Sequence, residues 1–255
     1  MKIATWNVNS LKVRLPQVLD WIESVQPDVL ALQETKLDDN SFPYREIEAA
    51  GYHAIASGQK TYNGVALLSK EPARDVATQV AKLEDAERRI LGATIGDIKV
   101  INLYVVNGQE VGSERYKYKL RWLEHIAEHI AGELARWENM VVLGDFNIAP
   151  EDRDTHDPRV WHERILCSTP ERARLKQLLD LGLRDTFRLF PQPENSFSWW
   201  DYRAGAFRRN MGLRIDLILA SEALSRACTR CVIDMAPRRL KRPSDHAPVF
   251  AEFAD

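Results

Sequence analysis

Four polar clusters stand at the ends of apolar runs: Trp6-Asn7-Val8-Asn9, Leu32-Gln33-Glu34-Thr35, Gly144-Asp145-Phe146-Asn147 and Ser244-Asp245-His246. Strand ends are where a rigid element projects side chains into a cleft. Together the clusters offer Glu34, Asp145 and Asp245, several amides and one imidazole; Arg214-Ile215-Asp216, at the head of another run, adds a fourth carboxylate. A hard divalent cation takes oxygen ligands, keeps several waters and needs only one or two carboxylates plus a substrate phosphate. This inventory therefore fits magnesium and does not fit zinc. His125 and His129 have i, i+4 spacing, but His-Ile-Ala-Glu-His lacks a Glu directly after the first His. They read as a solvent-facing helix pair rather than an HExxH site. Cys228 and Cys231 form a lone CxxC with only Cys167 left over, which reads as free thiols in or near a strand.

The elements that must position these groups follow from periodicity. Ile3–Trp6, Val29–Leu32, Val65–Leu68, Ile90–Ile95, Val100–Tyr104 and Val141–Leu143 read as strands, the three middle runs as neighbours in one sheet. Phe197–Trp200, Ile215–Leu219, Cys228–Ile233 and Val249–Phe253 complete the set. Pro16–Gln26 reads as a helix with Pro16 near its first turn, and Glu171–Leu181 as another amphipathic helix. Ser113–Arg136 is the longest helix candidate, with Tyr116, Leu120, Leu123, Ala127, Ile130 and Leu134 as the stripe that packs on a sheet. Strands interspersed with helices predict an α/β fold of packed sheets with helices outside. No fixed-period repeat or Gly/Ser linker marks a boundary, so residues 1–255 read as a single domain.

Composition agrees: 255 residues, 45% hydrophobic and 28% charged, exclude a disordered chain. Net charge is only −2, but residues 196–246 hold ten Lys or Arg against five Asp or Glu. Such asymmetry lets one face attract a polyanion while the protein stays soluble. No apolar stretch reaches the ~20 residues that span a bilayer, and the first residues lack a signal-peptide pattern. An odd, sparse set of three cysteines fits a reducing compartment. A cytoplasmic protein with no membrane partner is expected.

The four clusters in this order, with Gly64-Val65-Ala66-Leu67-Leu68-Ser69, Ile101-Asn102-Leu103-Tyr104, Phe197-Ser198-Trp199-Trp200-Asp201-Tyr202-Arg203 and Gly212-Leu213-Arg214-Ile215-Asp216-Leu217-Ile218-Leu219, resemble the exonuclease III family of apurinic/apyrimidinic DNA-repair nucleases. That family lies within the endonuclease/exonuclease/phosphatase superfamily, and the resemblance covers nearly the whole length. It implies a four-layer sandwich of two packed mixed β-sheets flanked by helices. It implies that Glu34 is the principal Mg2+ ligand, replaceable by Mn2+ as the ion, with Asn7 beside it and Asp245 assisting. Asp145 would orient or deprotonate the attacking water, with Asn147 positioning it. His246 would hold a phosphate oxygen, its ring fixed by Asp216, and Tyr104 would contact the phosphate or the departing oxygen. Trp199 and Leu213 would wall a pocket for a flipped-out sugar, and Asn107 and Asn210 would touch phosphate; by charge, Arg208, Arg209 and Arg214, with Arg238, Arg239, Lys241 and Arg242, are expected to add phosphate contacts.

The implied activity is a magnesium-dependent phosphodiesterase acting as a monomer on double-stranded DNA with nicks, abasic sites or blocked 3′ ends. Two other readings are a superfamily phosphatase for a small phosphorylated molecule, disfavoured by the basic, Trp-rich C-terminal third, and a non-catalytic DNA-binding module, disfavoured by the intact polar set. Two departures stand out: Val105-Val106 follow Tyr104 where many relatives carry Pro, and Glu163 stands where relatives often have Gly. If this segment borders the lesion site, a large acidic side chain at 163 would restrict access for an internal abasic nucleotide while still admitting a 3′ terminus.

Overall fold

The computed structural model describes residues 1–80, 83 and 87–254. Strands β1 (Lys2–Asn7), β2 (Val29–Gln33), β3 (His53–Ser57) and β4 (Val65–Ser69) join β13 (Cys228–Ile233) and β14 (Val249–Phe253) in one sheet, ordered β13-β14-β1-β2-β4-β3. Strands β5 (Arg74–Ala77), β6 (Ile90–Ile95), β7 (Ile98–Tyr104), β8 (Met140–Asp145), β9 (Leu183–Asp185) and β12 (Asp216–Ser221) form the second, ordered β5-β6-β7-β8-β12-β9. A two-residue ribbon pairs β10 (Trp199–Trp200) with β11 (Gly212–Leu213). Both large sheets are mixed, because β1 runs parallel to β2 and β7 parallel to β8 while the other neighbours are antiparallel.

Three apolar layers hold the sandwich. Ile3, Val29, Ala31 and Leu67 of the first sheet meet Leu91, Val100, Leu143 and Ile218 of the second. Trp6, Leu30 and Leu32 face outward on to Val18, Trp21 and Ile22 of helix α1 (Leu11–Val25). Short helix α2 (Tyr44–Ala49) contributes Ile47 to the same layer. On the other side, Ile101, Leu103 and Val142 pack against Trp122, Leu123 and Ile126 of α3 (Glu114–Leu134) and Leu175 and Leu178 of α5 (Thr169–Asp180). Single-turn α4 (Pro158–Trp161) and α6 (Glu222–Arg226) lie in connections. Because both faces of the central strands are covered, they read as unbroken apolar runs rather than alternating ones. Among the described residues, no helix is long and apolar enough to cross a membrane.

Three sequence expectations are corrected. Helix α1 begins at Leu11, so Pro16 is interior rather than near the first turn. Leu11 is fully buried, and packing of that first turn offsets the hydrogen bond that Pro16 cannot donate to Lys12. The run β4 joins the first sheet, so only β6 and β7 of the middle runs are neighbours. Helix α3 buries Tyr116, Lys119, Trp122, Leu123, Ile126, Ile130 and Glu133, while Leu120, Ala127 and Leu134 of the expected stripe are half-buried. Two charged residues enter because each has a partner there: Lys119 pairs with Glu171, and Glu133 lies 3.3 Å from Lys99 Nζ.

Two arginines assigned to phosphate are also elsewhere. Arg214 is 1% exposed, with Nε 2.7 Å from Asp154 Oδ1 and Nη2 2.8 Å from Asp185 Oδ2. Arg238 is buried against the rings of Trp200 and Phe207 and donates to the Ser244 carbonyl. Arg214→Ala leaves two carboxylates beside an empty space, and urea unfolding is expected to show a loss of about 3 kcal/mol or more.

Candidate active site

Sheet register brings the sequence-separated clusters to one end of the sandwich. In the second sheet Tyr104 and Asp216 stand opposite Asp145 on its two flanks. In the first, Asn7 ends β1 opposite Gln33, and Glu34 follows directly. Ser244, Asp245 and His246 precede β14, and an isolated bridge pairs His246 with Trp199. A buried polar bridge fixes the two sheets beneath this end: Gln33 Nε2 donates to Asn102 Oδ1 at 2.8 Å, and Asn102 Nδ2 donates to the carbonyls of Leu32 and Ala66. The loops are tightly bent. Asn9, Ser10, Glu34, Lys36 and Asn147 all have positive φ, an unfavourable conformation for these residue types that clusters at functional sites.

Ligand atoms of Glu34, Asp145 and His246 all lie within 4.8 Å of one another. Asn7 Nδ2 donates to Glu34 Oε1 and to Asp145 Oδ2, each at 2.9 Å. Lys36 Nζ lies 3.0 Å from Glu34 Oε2 and donates to Asn9 Oδ1. Asn147 holds Asp145 twice, by its backbone N–H at 2.9 Å and its Nδ2 at 3.2 Å. His246 Nδ1 lies 2.9 Å from Asp216 Oδ2, while Nε2 faces Asp145 Oδ2 at 3.8 Å. Ser198 Oγ donates to Asp216 Oδ2 at 2.6 Å and itself accepts from the Ile215 and Asp216 N–H groups.

Electrostatics follow from these contacts. Burial opposes the His246 charge most strongly, but Asp216, then Asp145, outweighs it and raises the imidazole to about 10. The ring is an imidazolium at neutral pH. Burial raises the Asp145 carboxyl to about 7; the His246 charge works against the rise and Asp216 adds to it. Burial, then the Glu34 charge, holds the Tyr104 phenol well above its ordinary value, so it remains a donor. For Asp245 burial is the largest influence, and the charge of His246 with hydrogen bonds from Asn9 and Trp199 overcomes it to lower the carboxyl. Carboxylates and an amide facing one gap could hold a hard divalent cation, and the imidazolium beside them could hold an anion.

Not every expected residue joins this centre. Both Asp245 oxygens are taken, by Asn9 Nδ2 at 2.9 Å and Trp199 Nε1 at 3.0 Å, which places Asp245 in the surrounding ring. Asn107 reaches the centre through its Nδ2, 3.2 Å from Asn147 Oδ1. Asn210 uses its amide on Trp200 and the Asn195 carbonyl. Leu213 is fully buried beneath Trp199 in a small cluster with Ala149, Leu166 and Ile215, so it backs that wall and shows no surface. Arg208 and Arg209 are exposed. Glu163 has φ 51, the backbone glycine adopts most readily, and its carboxylate folds back on to Thr169 N–H and Oγ1 at the start of α5. There it lines a groove of about 700 Å3 with Gln109, Val160, Trp161 and Arg164.

Sequence reasoning passed over Ser198, Asn102 and Lys36, which hold Asp216, the sheets and Glu34. Ser198 and Asn102 lie inside motifs that carry other residues and Lys36 directly follows one, and only three-dimensional proximity gives each a role. Gly144 is the tightest backbone position here: φ is +142, and a Cβ would stand 1.9 Å from the Leu103 carbonyl oxygen. Gly144→Ala must push β8 from β7 at the residue before Asp145, and a stability loss of about 3 kcal/mol is expected in thermal melts.

Comparisons with known proteins agree with this geometry. The model of the endonuclease/exonuclease/phosphatase family matches residues 4–246. Exodeoxyribonuclease III of Haemophilus influenzae is 38% identical over 99% of this chain and 100% of its own. Among solved structures, a Neisseria 3′ phosphatase, an aspartate-to-asparagine variant bound to a product DNA hairpin, superposes with TM-score 0.98 at 47% identity over 100% of both chains. An AP endonuclease from Archaeoglobus fulgidus gives TM-score 0.95 at 39% identity over 99% of each chain.

Proposed function

This chain belongs to the endonuclease/exonuclease/phosphatase family as a DNA-repair nuclease of the exonuclease III type, and from that premise we propose that it is a magnesium-dependent phosphodiesterase trimming blocked or unblocked 3′ ends of duplex DNA. The observation that carries the reading is the convergence of Glu34, Asp145 and His246, with Asp216 behind the imidazole. The similarity to the Neisseria 3′ phosphatase supports 3′ ends as the main substrate. The similarity to the Archaeoglobus AP endonuclease supports a second activity, incision 5′ to abasic sites. The whole of residues 1–255 acts as one monomeric domain.

A phosphodiester carries a negative charge that repels hydroxide, so the site must neutralise phosphoryl oxygens, align water and stabilise the departing oxygen. Glu34 would hold the cation, with Asn7, which donates to Glu34 and Asp145, beside it and Asp245 shaping the surrounding ring. When bound, the cation supplies Lewis-acid neutralisation of phosphate charge. Asp145, steadied at both oxygens by Asn147, accepts the proton of the attacking water. His246 presents Nε2–H to a non-bridging oxygen, its charge maintained by Asp216. The Tyr104 hydroxyl donates to the phosphate or the departing oxygen. Trp199, anchored by Asp245 and backed by Leu213, supports an unstacked terminal sugar. Asn107, Asn210, Arg208 and Arg209 supply phosphate contacts along the strand.

The test is a panel of 3′-phosphate, 3′-phosphoglycolate, nicked and internal abasic duplexes, each with Mg2+ or with chelator. Cation-dependent release at the 3′-blocked ends is expected. No cleavage of any duplex would overturn the reading.

A further inference from the structure

Lys119 is a fully buried lysine on α3 whose three donor positions are all used. Nζ reaches the Asn107 carbonyl at 3.1 Å, the Asn147 carbonyl at 2.7 Å and the Glu171 carboxylate. Glu171, equally buried at the start of α5, is saturated in turn. Its Oε1 also accepts from Leu166 N–H at 3.1 Å, and its Oε2 accepts from Ser168 N–H at 3.1 Å and Ser168 Oγ at 2.6 Å. Asn107 and Asn147 lie just beyond the ends of β7 and β8, neighbouring parallel strands, and their side chains meet at 3.2 Å. One ammonium therefore grips the backbones of both loops. The first loop rests directly on its stem: a Cβ at Gly108 would stand 3.2 Å from Lys119 Cδ and 2.8 Å from Ile165 Cδ1.

Glu171 closes the capping box of α5, which accounts for its carboxylate, but a cap needs no buried lysine reaching two loop carbonyls. Desolvating two charges is costly, and well-packed apolar replacements of buried ion pairs are often neutral or stabilising. An all-apolar stripe on α3 would pack on the sheet without them. What the pair does that an apolar contact cannot is set the distance between two carbonyls in loops that carry site amides. We propose that Lys119, locked by Glu171, is a positioning residue of the reaction, fixing the separation of the Asn107 and Asn147 loops so that Asn147 holds Asp145 at both oxygens. The inference rests on the nuclease reading above and deepens it.

The experiment uses the full chain with Lys119→Met and Glu171→Met combined, which removes both charges and leaves neither unpaired. Turnover of a 3′-phosphate duplex with Mg2+, duplex affinity, melting temperature and the side-chain amide NMR signals of Asn107 and Asn147 are read together. Expected are a fall in kcat of about 10- to 100-fold, KM and duplex affinity within about threefold, and shifted Asn amide signals in a protein that stays folded but melts below the parent, because backbone groups lose partners. A folded double variant with kcat within about threefold of the parent overturns the proposal. If the apolar pair does not fold, Lys119→Gln with Glu171→Gln, polar and uncharged, is read the same way. Failure of both pairs to fold also counts against it, since the role would then lie in the fold and not in the site. A parent inactive on the 3′-phosphate duplex with Mg2+ would instead remove the nuclease reading beneath it.

Discussion

Asp145→Asn is expected to lower kcat by about a thousandfold or more while duplex affinity stays within about threefold. The substitution keeps size and shape in a site that is 1% exposed, and the new amide oxygen can still accept from the Asn147 N–H. It removes the carboxylate proposed to take a proton from water, and it turns an amide N–H2 toward the donors of Asn7 and Asn147. The parent should also show an acid limb that the variant lacks. Burial raises the Asp145 carboxyl to about 7, so the active carboxylate is lost as pH falls through that region and gained as it rises. A cation held by Glu34 favours the carboxylate, so raising Mg2+ should move the limb to lower pH. Single-turnover rates across pH 5 to 9 at two Mg2+ concentrations check this. A variant within about tenfold of the parent would place the proton acceptor elsewhere.

The site was legible in the sequence because its groups stand at strand ends, where chain order and apolar runs mark them. Asn7, Glu34, Asp145 and His246 could be named before any contact was known, but the register that aligns Tyr104, Asp145 and Asp216 side by side could not. What failed was inference from charge alone. Lys119 and Glu133 looked like the solvent side of a helix and are buried with partners. Arg214 and Arg238 looked like groove cations, and they are an ion-pair clamp and an aromatic-packed strut. Edge strands β3, β5 and β9 lacked long apolar runs and escaped notice. The relation of β4 to β6 and β7 was equally hidden, because periodicity identifies a strand and says nothing of which sheet receives it.

His246→Ala is expected to lower kcat by about a hundredfold to a thousandfold, the usual cost of removing one preorganised donor from an anionic reaction centre. The more discriminating variant is Asp216→Asn. With the carboxylate, Nδ1 donates to Asp216 and the raised imidazole, at about 10, stays charged through neutral pH. With an amide in its place, the oxygen that accepts from Ser198 Oγ can still accept from Nδ1, but no charge faces the ring there. Burial, the largest influence on this ring and one that disfavours its charge, is no longer outweighed by the leading attraction. The imidazole should become neutral at pH 7.5, losing the charge. The sign is set by the charged form: activity that needs imidazolium is full below the folded value and falls as pH rises through it. The parent should therefore decline only toward pH 10, and Asp216→Asn should decline from well below neutrality. Imidazole 15N shifts of His246 give the protonation state directly, and pH–rate profiles give its consequence. A neutral His246 in the variant with undiminished turnover at pH 7.5 would show that the hydrogen bond, and not the charge, carries the effect.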